Sequence, residues 1–222
     1  MSINIHILAA SKKMRPYAKR LKFLTVGAVK SVKRLLSLTN IDIVFSDYPE
    51  GAIPEIGIGG FTPNAHTLFI SLNLQYPKLK KMIGKELLPL LVHELHHAIR
   101  WRKPGYGSTL WEQMITEGLA DHFSMEVTGA KIPPRWSRAL TVQQKKILWR
   151  HAKLLLHHSP LNSVDHRAWF FGSKEKKIPR WTGYTLGYDI VAAYLKTHPK
   201  AKASTLVDVP ADLFLGKIKN CT

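Results

Sequence analysis

The chain has 222 residues, of which 45% are hydrophobic and 22% are charged. This length and composition predict a globular protein of one large domain or two small lobes, with ample material for a hydrophobic core. The single cysteine, Cys221, excludes an intramolecular disulfide and a zinc ribbon or finger. No apolar run reaches the roughly 20 residues that a membrane-spanning helix needs. Because the N-terminal residues also lack the apolar core of a secretory signal, we expect a cytoplasmic protein.

Charge is the second feature of the composition. Lys and Arg number 33 and Asp and Glu 15, which gives a formal net charge of +18. The imbalance is patterned, since residues 1–41 contain nine Lys or Arg and no acid, and residues 127–164 contain seven and no acid. Such a surface attracts polyanions, so contact with nucleic acid, anionic lipid or acidic protein segments is one interpretation. The alternative is a high charge that serves solubility alone, and no nucleic-acid-binding motif decides between the two.

The N-terminal half predicts a small sheet with one backing helix. Residues 3–7, 41–45 and 68–74 alternate between apolar and polar side chains, which predicts strands, and residues 53–58, ended by a glycine pair, predict another. Residues 16–38 carry apolar side chains at helical spacing, with Lys and Arg opposite. This basic amphipathic helix could lie on a membrane, but we expect it to pack on the sheet with its basic face in water.

A strongly apolar segment at residues 87–100 predicts a buried helix. Because proline is tolerated in the first helical turn, Pro89 places the start of this helix near Glu86–Pro89 and its end at about Trp101.

That helix contains the pattern H-E-x-x-H at His93, Glu94 and His97. Positions i and i+4 lie on one face of a helix, so the two histidines can direct two imidazole nitrogens at one metal ion. Glu94 lies beside them and can hold a metal-bound water and take its proton. Buried histidine and glutamate side chains need partners in a low-dielectric interior, and a zinc ion would supply one. We interpret His96 as structural or exposed.

A catalytic zinc ion takes three protein ligands and leaves one position for water. One version of the motif uses a histidine six residues after His97, but Lys103 occupies that position. A second helix offers a glutamate instead. The sequence T-L-W-E from Thr109 has the form of a capping box and predicts a helix that ends near Gly129, with Glu117 in its middle.

Asp121 lies one turn beyond Glu117 on the same helix face. An aspartate in this position can accept the second N–H of a zinc-bound histidine and fix its tautomer. The alternative for both carboxylates is an ordinary solvated helix face. Because Glu117 follows His97 by twenty residues, we interpret it as the third zinc ligand. We interpret Asp121 as the hydrogen-bond acceptor that orients a zinc-bound histidine.

The motif residues resemble a known group of enzymes. His93, Glu94, His97 and Glu117, with Asp121 one turn on, look like the gluzincin metallopeptidases. The segments H-E-L-H-H-A, E-G-L-A-D-H-F and W-T-G-Y-T-L-G-Y-D-I-V resemble, over roughly residues 55–197, a bacterial family described as predicted zinc-dependent proteases. The resemblance implies zinc, hydrolysis and a substrate-pairing edge strand at residues 68–74; the alternative for that segment is an ordinary strand.

The C-terminal part predicts mainly helices. The apolar spacing of residues 137–157 predicts a scaffold helix. We interpret His157 and His158 as surface histidines because adjacent residues on a helix point apart. Residues 158–181 predict a loop that carries Trp169, Phe170 and Phe171 and is long enough to be a lid or a substrate wall.

Residues 183–195 predict a further helix, with Tyr184 and Tyr188 one turn apart. Hydrolysis passes through an oxyanion, and a tyrosine hydroxyl aimed at it can stabilise the transition state. The alternative is that both tyrosines pack on the glutamate helix, and the sequence does not choose between the two residues.

We therefore expect an α+β, zincin-like fold: a small N-terminal mixed sheet with backing and active-site helices, and a helical C-terminal lobe. The expected organisation is one metallopeptidase domain over residues 1–222, with lobes at about 1–101 and 102–222. The expected function is hydrolysis of a protein or peptide substrate with one Zn²⁺ per chain and Glu94 as general base. The alternatives are a non-catalytic zinc-binding scaffold, or a basic protein that acts mainly by binding nucleic acid or anionic membrane.

Overall fold

The computed structural model describes residues 2–156 and 165–220, so Cys221, His157 and His158 lie outside the described residues. The chain divides into two compact units, Met1–Arg102 and Lys103–Thr222. The architecture is α+β, as the sequence predicts, with the strands in the first unit. None of the described helices is long and apolar enough to cross a membrane.

The first unit is a four-stranded mixed sheet with two long helices. Its strands and α-helices are β1 (Ile3–Ile7), α1 (Ala18–Lys33), β2 (Ile41–Asp47), β3 (Ile58–Asn64), β4 (Thr67–Leu72) and α2 (Leu79–Arg100). The strand order is β1-β2-β4-β3, with β1, β2 and β4 parallel and β3 antiparallel to β4. The buried residues Leu21 and Val32 of α1 and Ile43 and Phe45 of β2 belong to its core.

The position of β4 differs from the expectation that residues 68–74 form an edge strand. β4 lies between β2 and β3, with Ile43 opposite Leu68 on one side and Gly60 opposite Ile70 on the other. Its backbone is therefore committed to the sheet, and β3 is the edge strand on that side, with β1 at the opposite edge. The expected strand at residues 53–58 is also wrong, because Ile53 makes only an isolated bridge to Ile58 and the strand runs on through the glycine pair.

Helix α2 begins at Leu79, about two turns before the expected start, so Pro89 lies inside it. Leu79, Ile83 and Leu87 are buried at four-residue spacing, and this apolar stripe extends the helix toward its N-terminus. An interior proline costs about 3 kcal/mol. Burial of the helix from Leu90 to Arg100 offsets that cost, and the buried set includes His96, which is structural rather than exposed.

The second unit is helical in the residues described. It contains α3 (Leu110–Thr128), α4 (Val142–Leu156), α5 (His166–Phe171) and α6 (Thr182–Thr197). Helix α3 starts at the predicted capping box of Thr109 and Glu112 and ends at Gly129, whose φ of 71° is the left-handed conformation of a helix C-cap. Two of the predicted boundaries are wrong: Ser137 lies in a short 3₁₀ helix before α4, and α5 occupies part of the expected loop.

The aromatic residues of α5 serve the core of the second unit. Trp169 and Phe170 are buried there with Trp149 and Phe214, whereas Phe171 is exposed. Trp169 and Phe170 therefore pack the scaffold and are not free to form a lid.

Helices α3 and α6 form the closest packing in this unit. A Cβ atom built on Gly187 would lie 2.0 Å from the Met114 carbonyl oxygen, and one built on Gly118 would lie 2.3 Å from the Gly187 carbonyl oxygen. Only hydrogen side chains at both positions allow this backbone contact. The contact lies one residue after Glu117 and one residue before Tyr188, so it fixes both residues within the second unit.

Candidate metal centre

Helix α2 brings His93 and His97 together as the motif predicts. Both side chains are buried, their Nε2 atoms lie 2.9 Å apart, and their rings meet edge to face with centroids 4.5 Å apart. The one-turn spacing places both imidazoles on one helix face, with the same nitrogen of each directed at one point.

The geometry of this pair fits a zinc ion. Zn–N bonds of about 2.0–2.1 Å at a tetrahedral ion place two ligand nitrogens roughly 3.3 Å apart. The observed separation of 2.9 Å differs from this by an amount that small ring rotations accommodate. Neutral imidazole is also a preferred donor for zinc.

Glu94 is buried beside the histidines and is held by β3. The hydroxyl of Thr62 donates a hydrogen bond of 2.6 Å to Oε2 of Glu94. The carbonyl oxygen of Thr62 accepts a hydrogen bond of 2.9 Å from the indole N–H of Trp101, at the end of the same helix. Strand β3 thus fastens α2 at two points and fixes the direction of the Glu94 carboxylate.

Gly60 provides the space that Glu94 occupies. A Cβ atom built on Gly60 would lie 2.5 Å from both Cγ and Oε1 of Glu94, closer than real Cβ contacts allow. The glycine pair that suggested the end of a strand therefore has another role, because its second member lets the carboxylate lie against the strand backbone.

In the second unit, α3 carries Glu117, which is buried and accepts a hydrogen bond from the hydroxyl of Tyr106. Tyr106 belongs to the segment before α3, and its backbone carbonyl accepts a hydrogen bond of 2.8 Å from the Thr116 hydroxyl. Both ends of this tyrosine are therefore attached to neighbouring residues of α3. The carboxylate of Glu117 is oriented by a residue that lies near it in sequence.

Glu112 secures the same segment through the capping box. Its Oε2 accepts hydrogen bonds of 2.8 Å from the backbone N–H groups of Ser108 and Thr109, and both hydroxyls contribute as well. Burial raises the pKa of Glu112, but these hydrogen bonds outweigh it, so the pKa is lowered from its ordinary value of 4.5.

Asp121 lies on α3 one turn after Glu117 and is fully buried. Its carboxylate accepts hydrogen bonds from the indole N–H of Trp136, at 3.0 and 3.1 Å, and from the hydroxyl of Ser137. The 3₁₀ helix after α3 thus orients Asp121. A carboxylate held in this way is suited to support a metal ligand, and that role stays a prediction.

The two tyrosines of α6 have different environments. Tyr184 packs edge to face on Phe170, with ring centroids 5.1 Å apart. Tyr188 stacks on the His122 ring at 4.1 Å, and its hydroxyl contacts the Met125 sulfur at 3.6 Å. Burial raises the pKa of Tyr188, and the negative charges of Asp121 and Asp189 raise it further, so this hydroxyl keeps its proton and remains a donor. The role of Tyr184 or Tyr188 at an oxyanion stays a prediction.

Sequence reasoning missed three residues that position the candidate side chains: Thr62 and Gly60 beside Glu94 in the first unit, and Tyr106 beside Glu117 in the second. Tyr106 lies between two glycines with φ of 111° and 106°, and this composition indicated no more than a turn. The Thr62 contact depends on β3 lying against α2, which is a tertiary relationship without a sequence period. The Gly-Gly pair was a signal for Gly60, because a glycine inside a strand can mark a close approach of another group.

Comparison with known proteins places the chain in a family. It matches the family model described as "Predicted Zn-dependent protease" over residues 24–216, and it therefore belongs to that family. The match begins earlier and ends later than the expected residues 55–197. The chain is also 29% identical over 154 residues to "Uncharacterized protein YjaZ" of Bacillus subtilis (strain 168), covering 67% of this chain and 54% of that protein. The chain thus spans about half the length of this relative.

Proposed function

We propose that this protein is a zinc-dependent peptidase in which His93, His97 and Glu117 hold one zinc ion. The observation that carries the proposal is the pair of buried imidazoles with Nε2 atoms 2.9 Å apart, next to the buried carboxylate of Glu94. All three proposed ligands are buried and each offers one ligand atom. The family description supports the choice of zinc, and we propose that the two units act as lobes of one metallopeptidase domain.

A zinc ion bound by these residues would polarise the scissile carbonyl group and lower the pKa of a water molecule to about 7. Glu94 has the role of general base in this proposal. The Thr62 hydroxyl holds one of its carboxylate oxygens, and Gly60 leaves space along the strand for the other. The carboxylate would accept a proton from water and return it to the leaving amine.

Strand β3 is the proposed binding place for the substrate backbone. It is one of the two edge strands of the sheet, and it carries both Gly60 and Thr62 beside Glu94. An extended peptide can add to such an edge through main-chain hydrogen bonds. This assigns to β3 the role that the family resemblance implied for residues 68–74.

The test of the proposed mechanism is Glu94→Gln, with Glu86→Gln as the matched control on the same helix. Glu86 is partly exposed and lies 3.4 Å from the Lys85 ammonium group, away from the histidine pair in sequence. Both variants should keep about one zinc ion per chain by metal analysis, and only Glu94→Gln should lose hydrolysis of an unfolded protein. Equal activity of wild type and Glu94→Gln would rule the mechanism out.

The ligand set is tested by zinc content at low free metal. Glu117→Ala should lose zinc, because a catalytic site needs its third protein ligand, while the exposed Glu175→Ala on the α5–α6 connection should keep it. Asp121→Asn should keep the fold and weaken zinc affinity or activity by roughly 10–100-fold. Full retention of zinc by Glu117→Ala would show that another residue is the third ligand.

Tyr184→Phe and Tyr188→Phe separate a role at the oxyanion from packing. A donor used only in the transition state would lower kcat by roughly 10²-fold with little change in KM. A packing hydroxyl would change only the melting temperature, by an amount equivalent to about 1–3 kcal/mol or less. Two Phe variants with wild-type turnover would show that both tyrosines belong to the scaffold.

A further inference from the structure

The outward face of α1 combines basic and apolar side chains and carries no acid. Six of its exposed positions recur every three or four residues, which places them on one side of the helix; they are Lys19, Lys22, Phe23, Val26, Lys30 and Lys33, and Arg20 and Gly27 are exposed beside them. Leu21, Thr25, Ala28 and Val32 form the opposite, buried face. The helix is therefore anchored in the first unit by one face and presents the other to its surroundings.

The apolar members of this face distinguish it from an ordinary solvated basic helix. Phe23 is 68% exposed and Val26 is 43% exposed, and both lie among the lysines. The guanidinium of Arg20 lies over the Phe23 ring, 5.8 Å from its centroid, and leaves most of the ring uncovered. Exposed aromatic surface within a basic face is typical of helices that lie in a membrane interface.

Lysines also cluster at the start of α2. Tyr17, just before α1, lines one hollow together with Lys78, Lys80 and Lys81. The first turn of α2 thus places further lysines beside the segment that leads into α1. The N-terminal 41 residues contribute nine Lys or Arg and no acid to this unit, so an anionic surface would meet no opposing carboxylate on α1.

We propose that this face docks the protein on a membrane that contains anionic lipids. Helix α1 lies in the plane of the interface, with Phe23 and Val26 at the boundary of the acyl chains and the lysines at the headgroups. Double-stranded nucleic acid would engage the same lysines through its phosphates, but it would leave Phe23 in water. The apolar centre of the face therefore favours lipid as the occupant.

The test uses the purified full chain and vesicles of phosphatidylcholine, with and without roughly one-third phosphatidylserine. Wild type should bind only the vesicles with phosphatidylserine, and salt should weaken this binding. Each lysine near the surface contributes about fivefold to affinity, so the triple variant K19E/K22E/K30E should lose at least about 10²-fold. Phe23→Ser should lose about tenfold or more, because it removes the inserted ring.

Matched controls come from the second unit. Lys174, Lys196 and Lys200 are exposed, and changing all three to Glu alters net charge as much as the α1 variant does. Phe171 is 62% exposed, so Phe171→Ser matches Phe23→Ser. Both controls should bind vesicles as wild type does.

Several outcomes overturn the proposal. These are no binding to the anionic vesicles, equal losses in the two triple variants, or wild-type binding by Phe23→Ser. Displacement of bound protein by duplex DNA, together with an unchanged Phe23→Ser affinity, would assign the face to nucleic acid instead. Thermal unfolding tests whether each variant is folded. If the α1 triple variant is unfolded, the comparison of Phe23→Ser with Phe171→Ser decides the outcome.

Discussion

The hydroxyl of Tyr106 donates a hydrogen bond to Oε1 of Glu117, and the Tyr106 backbone is itself attached to α3 through the Thr116 hydroxyl. The carboxylate proposed as the third zinc ligand is therefore oriented by a residue of the preceding loop. Partners of this kind fix the direction of a ligand before metal arrives. Loss of the Tyr106 hydroxyl should therefore lower metal affinity more than it lowers the stability of the fold.

Tyr106→Phe should weaken zinc binding by roughly 10–100-fold, the usual effect of removing a hydrogen bond to a metal ligand. The ring and its packing remain, so the melting temperature of the metal-free protein should change little. The measurement is zinc affinity by competition with a chelator. The control is Tyr48→Phe, at a tyrosine that is 53% exposed in the first unit. Unchanged affinity in Tyr106→Phe would show that its hydroxyl does not support the ligand.

Gly60→Ala should abolish most hydrolysis while the protein still binds zinc. The added methyl group would occupy the place of the Glu94 side chain, 2.5 Å from its Cγ and Oε1 atoms, and would force the carboxylate away from its position. Displacing a general base by about 1 Å can cost about 10²-fold in rate. Gly84→Ala is the control on α2, because a Cβ there meets only Arg20, at 3.9 Å. Wild-type kcat in Gly60→Ala would contradict the placement of Glu94.

Glu112→Gln should change how stability depends on pH. The pKa of Glu112 is lowered from 4.5 in the folded state, so the charged carboxylate contributes stability above that value and loses it as pH falls through the folded pKa. The variant should be less stable than wild type by about 1 kcal/mol at neutral pH, a typical capping contribution. Urea unfolding at several pH values should show this difference closing as the pH falls below 4.5 and through the lowered pKa of Glu112 in the folded state. If the stability difference between wild type and Glu112→Gln were the same at every pH, the charge of Glu112 would not be its cause.

The sequence predicted those parts of the site that depend on residues close together in the chain. His93 and His97 meet because residues four apart share a helix face, and α3 starts at Thr109 because a capping box satisfies its first N–H groups. Contacts between separate strands and helices leave no comparable pattern in the sequence. The position of β4 inside the sheet depends on the strand order. The Thr62–Glu94 hydrogen bond depends on the contact between β3 and α2.

Pro89 shows a different limit of sequence reasoning. Its missing N–H argues for a helix start, and the sequence interpretation followed that local rule. In the structure, burial of one face before Pro89 and of all residues from Leu90 to Arg100 outweighs the local cost, and the helix continues through Pro89. The basic face of α1 is a further case, since the sequence showed its charges, but only the structure shows that Phe23 is exposed among them.

Gly187→Ala should destabilise the protein, because the new methyl group would lie 2.0 Å from the Met114 carbonyl oxygen on α3. Backbone atoms cannot move aside as a flexible side chain can, so α6 must shift away from α3. Forced overpacking of this kind costs about 1–3 kcal/mol or more. The same shift would disturb α3 beside Glu117, so zinc affinity should fall along with the free energy of unfolding.

Gly27→Ala is the matched control for this substitution. Gly27 lies in α1, and a Cβ built there meets nothing within 4 Å. Since alanine favours helix over glycine by about 1 kcal/mol, this variant should be slightly more stable than wild type. Urea unfolding of both variants therefore gives opposite signs if close backbone contact, and not helix propensity, determines the residue at position 187. A Gly187→Ala variant as stable as Gly27→Ala would show that α3 and α6 do not touch at this point.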